Sequence, residues 1–542
     1  MPKFSIVIPT SSRPDTLAGT LRTALNQTYT DLEIIVHESG TDPRTEALLA
    51  ETGDQRVRYI GTASHLNMSE NWERALGHAT GEYVMLLGDD DGLLPSACAE
   101  VAGILAAHPA EAITWTVPSY YWPQAPDVRF RDRLLALVTD TGAVEVRPSR
   151  ATLDMVYQFR AWYSQTPMIY SSFIRNSLIE RVRSTHGQYF ANEAPDIASG
   201  VANLLFSDEF LCCMRPLSLS GQSHHSTGYQ YIFGNSQQRA SIERNIFDHL
   251  TIDSTMVRSS NFPLAIANYL LGIKQKLFRN YGPTLNYRNM LVQAMKWNAD
   301  APPGCDSTLP DILEVARKNG ISLAGFPVPP VAAQSPRPAT GITVYAGSLQ
   351  CDIDCASIGV HDIWGAAQLL EALLPIRDGE KTFVSTFPVW SVNLEQHPAV
   401  ELSFCKTGNG IGCLDFGWGE PEPWGVWTAG DAAEITLRIE GNVQSAAIRI
   451  SGTMFVHAVA PAPPEFPALV IYCDGVRYPV KATCGNREVD VELRVTFDWE
   501  AATILLRFEV SRPKSPLELG ISNDSRRLGL GLRSIVLTRL PA

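Results

Sequence analysis

The chain has 542 residues, 45% of them hydrophobic and 19% charged, the balance of a soluble globular protein of about three domains. Its formal net charge of −13 argues against a nucleic-acid partner, because phosphate backbones are bound by basic faces. No run of about 18 uninterrupted apolar residues occurs, which argues against a membrane span.

The opening stretch, MPKFSIVIPTSSRPD, is too short in its apolar part for a signal peptide and reads as a strand. The ten cysteines are scattered without a CxxC ladder. They read as reduced, mostly buried thiols of a cytoplasmic protein. Strands are expected at Phe4–Pro9, Leu32–Val36, Val57–Gly61 and Tyr83–Leu87, with helices at Pro14–Asn26, Thr41–Thr52 and Ser69–Ala79 between them. Continuous apolar strands separated by helices imply a mostly parallel sheet covered on both faces, an α/β fold. Ligands of such sheets bind beyond the carboxyl ends of the strands.

A mixed region follows, with a strand at Ile113–Pro118 and helices at Ala151–Phe159 and 195–206, and then a largely helical stretch over 240–297. Within that stretch FPLAIANYLLGIKQKLF (262–278) is apolar with a basic end. It reads as a helix packed on its own domain, and peripheral membrane contact is the alternative. Residues 325–340 are proline-rich and aperiodic, hence a linker. Beyond them short alternating segments such as ALVIYC, VDVELRVTF and ATILLRFEV indicate an antiparallel β-sandwich. The expected organisation is therefore a catalytic domain over 1–235, a helical extension over 236–324, the linker 325–340 and a β-sandwich accessory domain over 341–542.

The segment GEYVMLLGDDDGLLP (81–95) poses the chemical question. An apolar strand ends in Asp89, Asp90 and Asp91, whose charges repel. A solvated turn explains one or two of them. A divalent cation, Mn²⁺ or Mg²⁺, relieves the repulsion of all three and is commonly completed by substrate phosphates.

Together with FSIVIPT at the start and LNQTYTDLEIIV at 25–36, this segment resembles the nucleotide-sugar-binding half of a family 2 glycosyltransferase with the GT-A fold. A weaker resemblance runs through PMIYSSFI, APDIASG and RPLSLSGQSHHSTG to about residue 230. The resemblance implies an inverting, metal-dependent transfer of a sugar from a nucleotide-diphosphate donor to a glycan or lipid-linked acceptor, in cell-surface polysaccharide assembly. It places Pro9, Thr10, Arg13, Glu38 and Asp89 at the nucleotide sugar, and Asp90, Asp91 and His225 at the metal or diphosphate, with His224 the lesser candidate. The register is open: a literal DxD selects Asp89 and Asp91 for the metal, whereas counting back from Pro95 makes Asp90 the metal ligand and Asp89 the ribose contact. Glu38 stands where the family has an aspartate on the base, which leaves the nucleobase open. The general base is Asp196, with Glu193 as second candidate and an N-cap as the structural alternative for Asp196.

Asn71 and Trp72 open a helix near the donor pocket, Asn71 as a donor contact and Trp72 more as core. Trp418, Trp424 and Trp427, among glycines and prolines at 417–430, suit either sugar stacking or a sandwich core. This last region resembles, more faintly, a jelly-roll-like accessory domain of bacterial polysaccharide transferases. Two other readings stand beside the transferase: a nucleotidyltransferase, and a glycan-binding scaffold with an inactive transferase domain. Donor sugar, acceptor and oligomeric state are left open.

Overall fold

The computed structural model describes the chain apart from residues 1–2, 41, 64–65, 139–141, 192–193, 227, 229–250, 279–281, 300–306, 324–340, 346–347, 375–381, 385–390, 395–397, 406–409, 411–412, 415–417, 420, 430–431, 441–444, 456–467, 474–475, 481–487, 497–500, 512, 514, 517, 519–527 and 541–542. Glu193, the whole proline-rich segment 325–340 and the first part of the helical stretch lie outside the described residues. The chain divides into two compact units, with described residues to Val384 in the first and those from Ser391 in the second.

The first unit begins with strand and helix in alternation: β1 (Phe4–Thr10), α1 (Pro14–Leu25), β2 (Leu32–Ser39), α2 (Pro43–Thr52), β3 (Val57–Thr62), α3 (Met68–Leu76) and β4 (Tyr83–Leu86). Every residue of β1, β2 and β4 is buried, the signature of strands covered on both faces. Local chemistry sets the helix starts. Proline stands in the first turn of α1, where its missing N–H costs nothing. A reciprocal Asn67–Glu70 capping box opens α3. Leu17, Leu21 and Ala24 of α1 join Phe4, Ile6 and Ile8 in the principal core.

After the acidic turn come β5 (Gly92–Leu93), α4 (Ala97–Ala107), β6 (Ala112–Trp115), β7 (Ser119–Tyr121), β8 (Arg133–Val138), β9 (Ala143–Pro148), α5 (Ser149–Tyr157), β10 (Ser172–Arg175), α6 (Asn176–His186), α7 (Pro195–Phe206), β11 (Glu209–Cys213) and β12 (Ser218–Gln222). The main sheet has the order β3-β2-β1-β4-β10-β6-β11-β9, followed by a late strand described below. Strands β3, β2, β1 and β4 are parallel, and β10 is inserted antiparallel between β4 and β6. Register puts Thr10 opposite Glu38 and Val7 opposite Leu86. The carboxyl ends of β1, β2 and β4 thus meet at one edge, with the acidic turn directly beyond β4.

Three helices follow, α8 (Phe262–Leu277), α9 (Tyr287–Ala299) and α10 (Leu309–Lys318). Leu264, Ile266, Leu270, Ile273 and Leu277 of α8 are all buried, and the Tyr157 hydroxyl donates to the Leu270 carbonyl at 2.8 Å. Among the described residues no helix is long and apolar enough to cross a membrane.

The domain boundary expected near residue 340 is displaced. Strands β13 (Gly341–Tyr345) and β14 (Ser348–Asp354) extend a second sheet of the first unit, ordered β13-β14-β8-β7-β12-β5. Strand β14 pairs with β8 from Leu349–Val138 to Asp354–Arg133. Helix α11 (Ile363–Leu373) packs on α1, and β15 (Thr382–Val384) adds to β9 as the last strand of the main sheet. Ile363, Leu370 and Cys351 share a core with Trp122 and Tyr120. Alternating apolar residues specify a strand but not its partner, so the sequence pattern could not separate this hairpin from the sandwich that follows.

The second unit comprises two largely antiparallel sheets, as expected of a sandwich. One is built around β19 (Ala432–Glu440), β24 (Ala501–Val510) and β21 (Leu469–Cys473), the other around β25 (Leu528–Arg539) and β20 (Ser445–Met454). Burial alternates along β20 and β21, as in strands with one covered face.

Candidate active site

Two short turns build the centre. After β1 the chain reverses through Ser11–Arg13, with Ser12 at φ 55°, a left-handed conformation that non-glycine residues adopt only under constraint. The constraint comes from β2: the Ser12 N–H donates to Glu38 Oε1 at 2.7 Å and the Ser11 hydroxyl to the Ser39 carbonyl at 3.0 Å. After β4 the acidic turn closes with the Asp91 N–H on the Gly88 carbonyl.

The three aspartates have different surroundings. Asp89 accepts from the Thr10 hydroxyl at 2.7 Å and from Arg13 Nη1 at 3.2 Å. It thereby ties β1 to the acidic turn, and Thr10, Arg13 and Asp89 form one cluster. Asp90 Oδ2 accepts from the Ser223 hydroxyl at 2.6 Å, and its carbonyl from Trp122 Nε1 at 3.0 Å. Asp91 Oδ1 accepts from the Gly221 N–H at 2.7 Å, and its carbonyl from the Thr20 hydroxyl at 2.6 Å. Burial and the neighbouring negative charges drive the Asp90 carboxyl well above the usual range, and burial with the Asp89 charge pushes Asp91 up to about 7. Carboxylate oxygens are the hard donors that divalent cations take, and a cation's charge would favour their ionised forms, but among the described residues the three side chains whose ligand atoms converge are Asp15, His224 and His225 rather than the three aspartates.

Close approach of β12 to the acidic turn depends on Gly221. A Cβ there would lie 1.7 Å from the Asp90 carbonyl oxygen and 2.8 Å from Trp122 Nε1. Gly221→Ala is therefore expected to push β12 off β5 and destabilise the fold by about 1–3 kcal/mol. Urea unfolding of the variant measures this, and an unchanged urea midpoint would contradict this packing.

Glu38 is fully buried. Burial raises its pKa against the opposing Ser12 N–H and Thr45 hydroxyl, and the contact between Oε2 and that hydroxyl falls short of a full hydrogen bond. Asn71 has both amide ends engaged: Oδ1 lies 2.6 Å from His37 Nδ1, and Nδ2 donates to the Thr10 carbonyl at 3.2 Å. It supports the end of β1 from within, and Pro9 is a buried residue of the same strand. Trp72 meets Phe190 edge-on at 5.9 Å.

Asp196 lies in the first turn of α7, whose N-cap is Ala194 rather than Asp196. Its own N–H and that of Ile197 donate to its carboxylate, yet burial dominates and raises its pKa. Burial and the field of Asp196 both raise the phenol pKa values of Tyr163 and Tyr170, and Tyr170 also feels Asp91. Tyr170 therefore stands within the fields of the acidic turn and of the α7 carboxylate.

His225 reaches the centre through Ser223, whose hydroxyl accepts the His225 N–H at 3.1 Å. Its Nε2 is 3.5 Å from Asp15 Oδ2, and His224 Nε2 is 4.0 Å from the same oxygen. Ligand atoms of Asp15, His224 and His225 all lie within 4.8 Å of one another. Burial, then His224 and Arg13, lower the His225 pKa, which keeps its ring neutral and able to ligate. Asp15, Thr20, Trp122, Tyr163, Tyr170 and Ser223 carried no local signal, because each reaches the site only through distant chain segments.

In the second unit Trp418 Nε1 donates to the Glu434 carbonyl at 2.7 Å and its ring meets Phe508 at 5.5 Å, a core role. Trp424 and Trp427 form an edge-on pair at 5.1 Å, seated over Gly531, with Trp424 37% exposed.

Residues 5–173 match the family model for Glycosyl transferase family 2. Over 100 residues the chain is 33% identical to a GalNAc(5)-diNAcBac-PP-undecaprenol beta-1,3-glucosyltransferase of Campylobacter jejuni, covering 18% of this chain and 32% of that protein. Over 119 residues it is 30% identical to an uncharacterized protein, y4gI, of Sinorhizobium fredii, covering 21% and 13%. The matches thus span a third or less of the length of these curated relatives. Among solved structures, S. aureus TarS 1–349 in complex with UDP-GlcNAc aligns at TM-score 0.32 and 13% identity, over 59% of this chain and 92% of that one. S. aureus TarS aligns at TM-score 0.34 and 10% identity, over 99% and 86%. The match to Glycosyl transferase family 2 is thus confined to residues 5–173, the region that holds the parallel strands β1 to β4 and the acidic turn beyond β4.

Proposed function

We propose that the first unit is an inverting glycosyltransferase that moves a sugar from a nucleoside-diphosphate donor to an acceptor hydroxyl in cell-surface glycan assembly at the inner face of the membrane. The observation that carries this reading is the meeting of Thr10, Glu38 and Asp89–Asp91 at the carboxyl edges of parallel strands, with Tyr170 within the fields of both Asp91 and Asp196. The nucleobase lies against Glu38, whose carboxyl group accepts a ring N–H. Arg13 lies beside the diphosphate. Asp90 and Asp91, with His225 nearby, hold a divalent cation, which when bound supplies charge stabilisation to the departing diphosphate.

The acceptor oxygen attacks the anomeric carbon from the face opposite the diphosphate. As the new C–O bond forms, the sugar–phosphate C–O bond breaks, its electron pair leaves on the diphosphate, and Asp196 takes the acceptor's proton. Burial raises the basicity of Asp196, which favours its taking a proton.

Calorimetric titration of uridine, guanosine and adenosine diphosphates with and without Mn²⁺ tests the reading. Tighter binding of one nucleotide when Mn²⁺ is present is expected. Equal, Mn²⁺-independent binding of all three, or binding of none, would sink it. Glu38→Gln replaces a carboxylate acceptor by an amide that also presents N–H groups. It is expected to weaken the preferred diphosphate by about tenfold or more and to blunt discrimination among bases, in the same titration.

A further inference from the structure

Two cavities of the first unit, remote in sequence from the donor cluster, share a wall. The inner one, about 500 Å³, reaches Tyr170 and Ser220. The outer one, about 670 Å³, reaches Gly341 and Gln350 on the β13–β14 hairpin. Thr116, Val117 and Ser119 line both, and each volume lies within the ~300–1,000 Å³ range of ligand sites.

The inner cavity abuts both halves of the chemistry. Ser220 precedes Gly221, whose N–H is bonded to Asp91. Gln165, Met168 and Tyr170 of the same lining belong to a segment held on α7: the Ile169 N–H donates to the Ser199 hydroxyl at 3.3 Å, and that hydroxyl donates to the Asp196 carbonyl at 2.9 Å.

The lining is polar but carries no unbalanced charge. Arg147 is paired with Glu145 at 2.7 Å. In the outer cavity Asp352 accepts from Arg133 Nε at 2.6 Å. By contrast the side chains of Thr116, Ser119, Ser164 and Gln165 make no hydrogen bond to a described residue, and neither does that of Gln350. Free hydroxyls and amides beside self-neutralised ion pairs favour a hydroxyl-rich ligand over an anionic one. Leu137, 69% exposed, and Ile342, 51% exposed on the adjoining hairpin, add apolar surface at the outer end, suited to the C–H faces of sugar rings.

We propose that the two cavities form one acceptor groove for a neutral oligosaccharide of several sugars, which enters at the β13–β14 hairpin and presents its terminal hydroxyl near Tyr170. This inference rests on the glycosyltransferase reading above. It also explains why a hairpin more than 200 residues beyond β8 in sequence belongs to the catalytic unit: it supplies the outer wall of the groove.

The test uses the full chain on an array of neutral and uronic-acid-bearing oligosaccharides, with two variants in parallel. Thr116→Trp fills the shared wall, and a Gln165→Ala/Gln350→Ala double variant removes exposed contacts without steric risk to folding. Retention of neutral oligosaccharides of three or more sugars is expected, with about tenfold weaker retention in either variant. Calorimetric affinity for uridine diphosphate with Mn²⁺ should stay within about twofold. Retention of acidic glycans alone, of none, or equally by both variants overturns the groove. Loss of nucleotide binding by the unaltered chain would instead count against the glycosyltransferase reading itself.

Discussion

Asp196→Asn is expected to lower transfer by about 10²–10⁴-fold, the usual contribution of a positioned general base, with donor affinity unchanged. The variant keeps shape and polarity but cannot take the acceptor's proton. Because burial raises the Asp196 pKa, kcat/KM of the unaltered enzyme should fall with decreasing pH at a point above the ordinary aspartate range. The same shift has a stability consequence. A carboxyl group whose folded-state pKa lies above its unfolded value favours the folded state most below the unfolded pKa, and that contribution is lost as pH rises through the folded pKa. Asp196→Asn should therefore melt higher than the unaltered chain at neutral pH, and the difference should vanish in acid. Full turnover with the asparagine in place would remove Asp196 from the base's role. A lower neutral melting temperature would mean that the carboxylate's hydrogen bonds to its own N–H and to Ile197 outweigh its burial.

The second large effect is expected at the acidic turn. Asp91→Asn should cost transfer at least about 10²-fold and abolish the Mn²⁺-dependent part of nucleotide binding, while metal-free binding through Arg13 and Glu38 survives. The asparagine keeps an oxygen for the Gly221 N–H, which donates to Asp91 at 2.7 Å, so the turn itself should hold. Removing one of the crowded charges, with Asp91 pushed up to about 7 by burial and its neighbours, should also raise the melting temperature near neutral pH. Calorimetry with and without Mn²⁺ and a thermal melt read all of this. If the Mn²⁺ increment persisted in full, the acidic turn would not be the cation's seat.

Much of the N-terminal fold was legible because its signals are local. Continuous apolar runs marked β1, β2 and β4, leucine spacing marked α1, and a proline entry marked α7. The acidic turn was legible because three adjacent carboxylates are costly without a purpose. Asn71 shows the limit of this reasoning. Its placement near the donor edge was expected, yet its amide is spent on His37 and the end of β1, a choice that depends on a buried ring reached across the sheet.

Composition, periodicity and charge clustering were enough to specify an α/β domain with an anionic turn at a strand end, followed by a β-rich region, since each depends on contacts within a few residues. Folding in three dimensions settled the rest. It gave Trp122, Ser223 and Gly221 their places around Asp90 and Asp91, brought Tyr170 within the fields of Asp91 and Asp196, and moved strands β13, β14 and β15 from the sandwich into the first unit. Strand pairing and buried hydrogen bonds join positions more than 100 residues apart, and no local pattern encodes which distant partner a strand or side chain will meet.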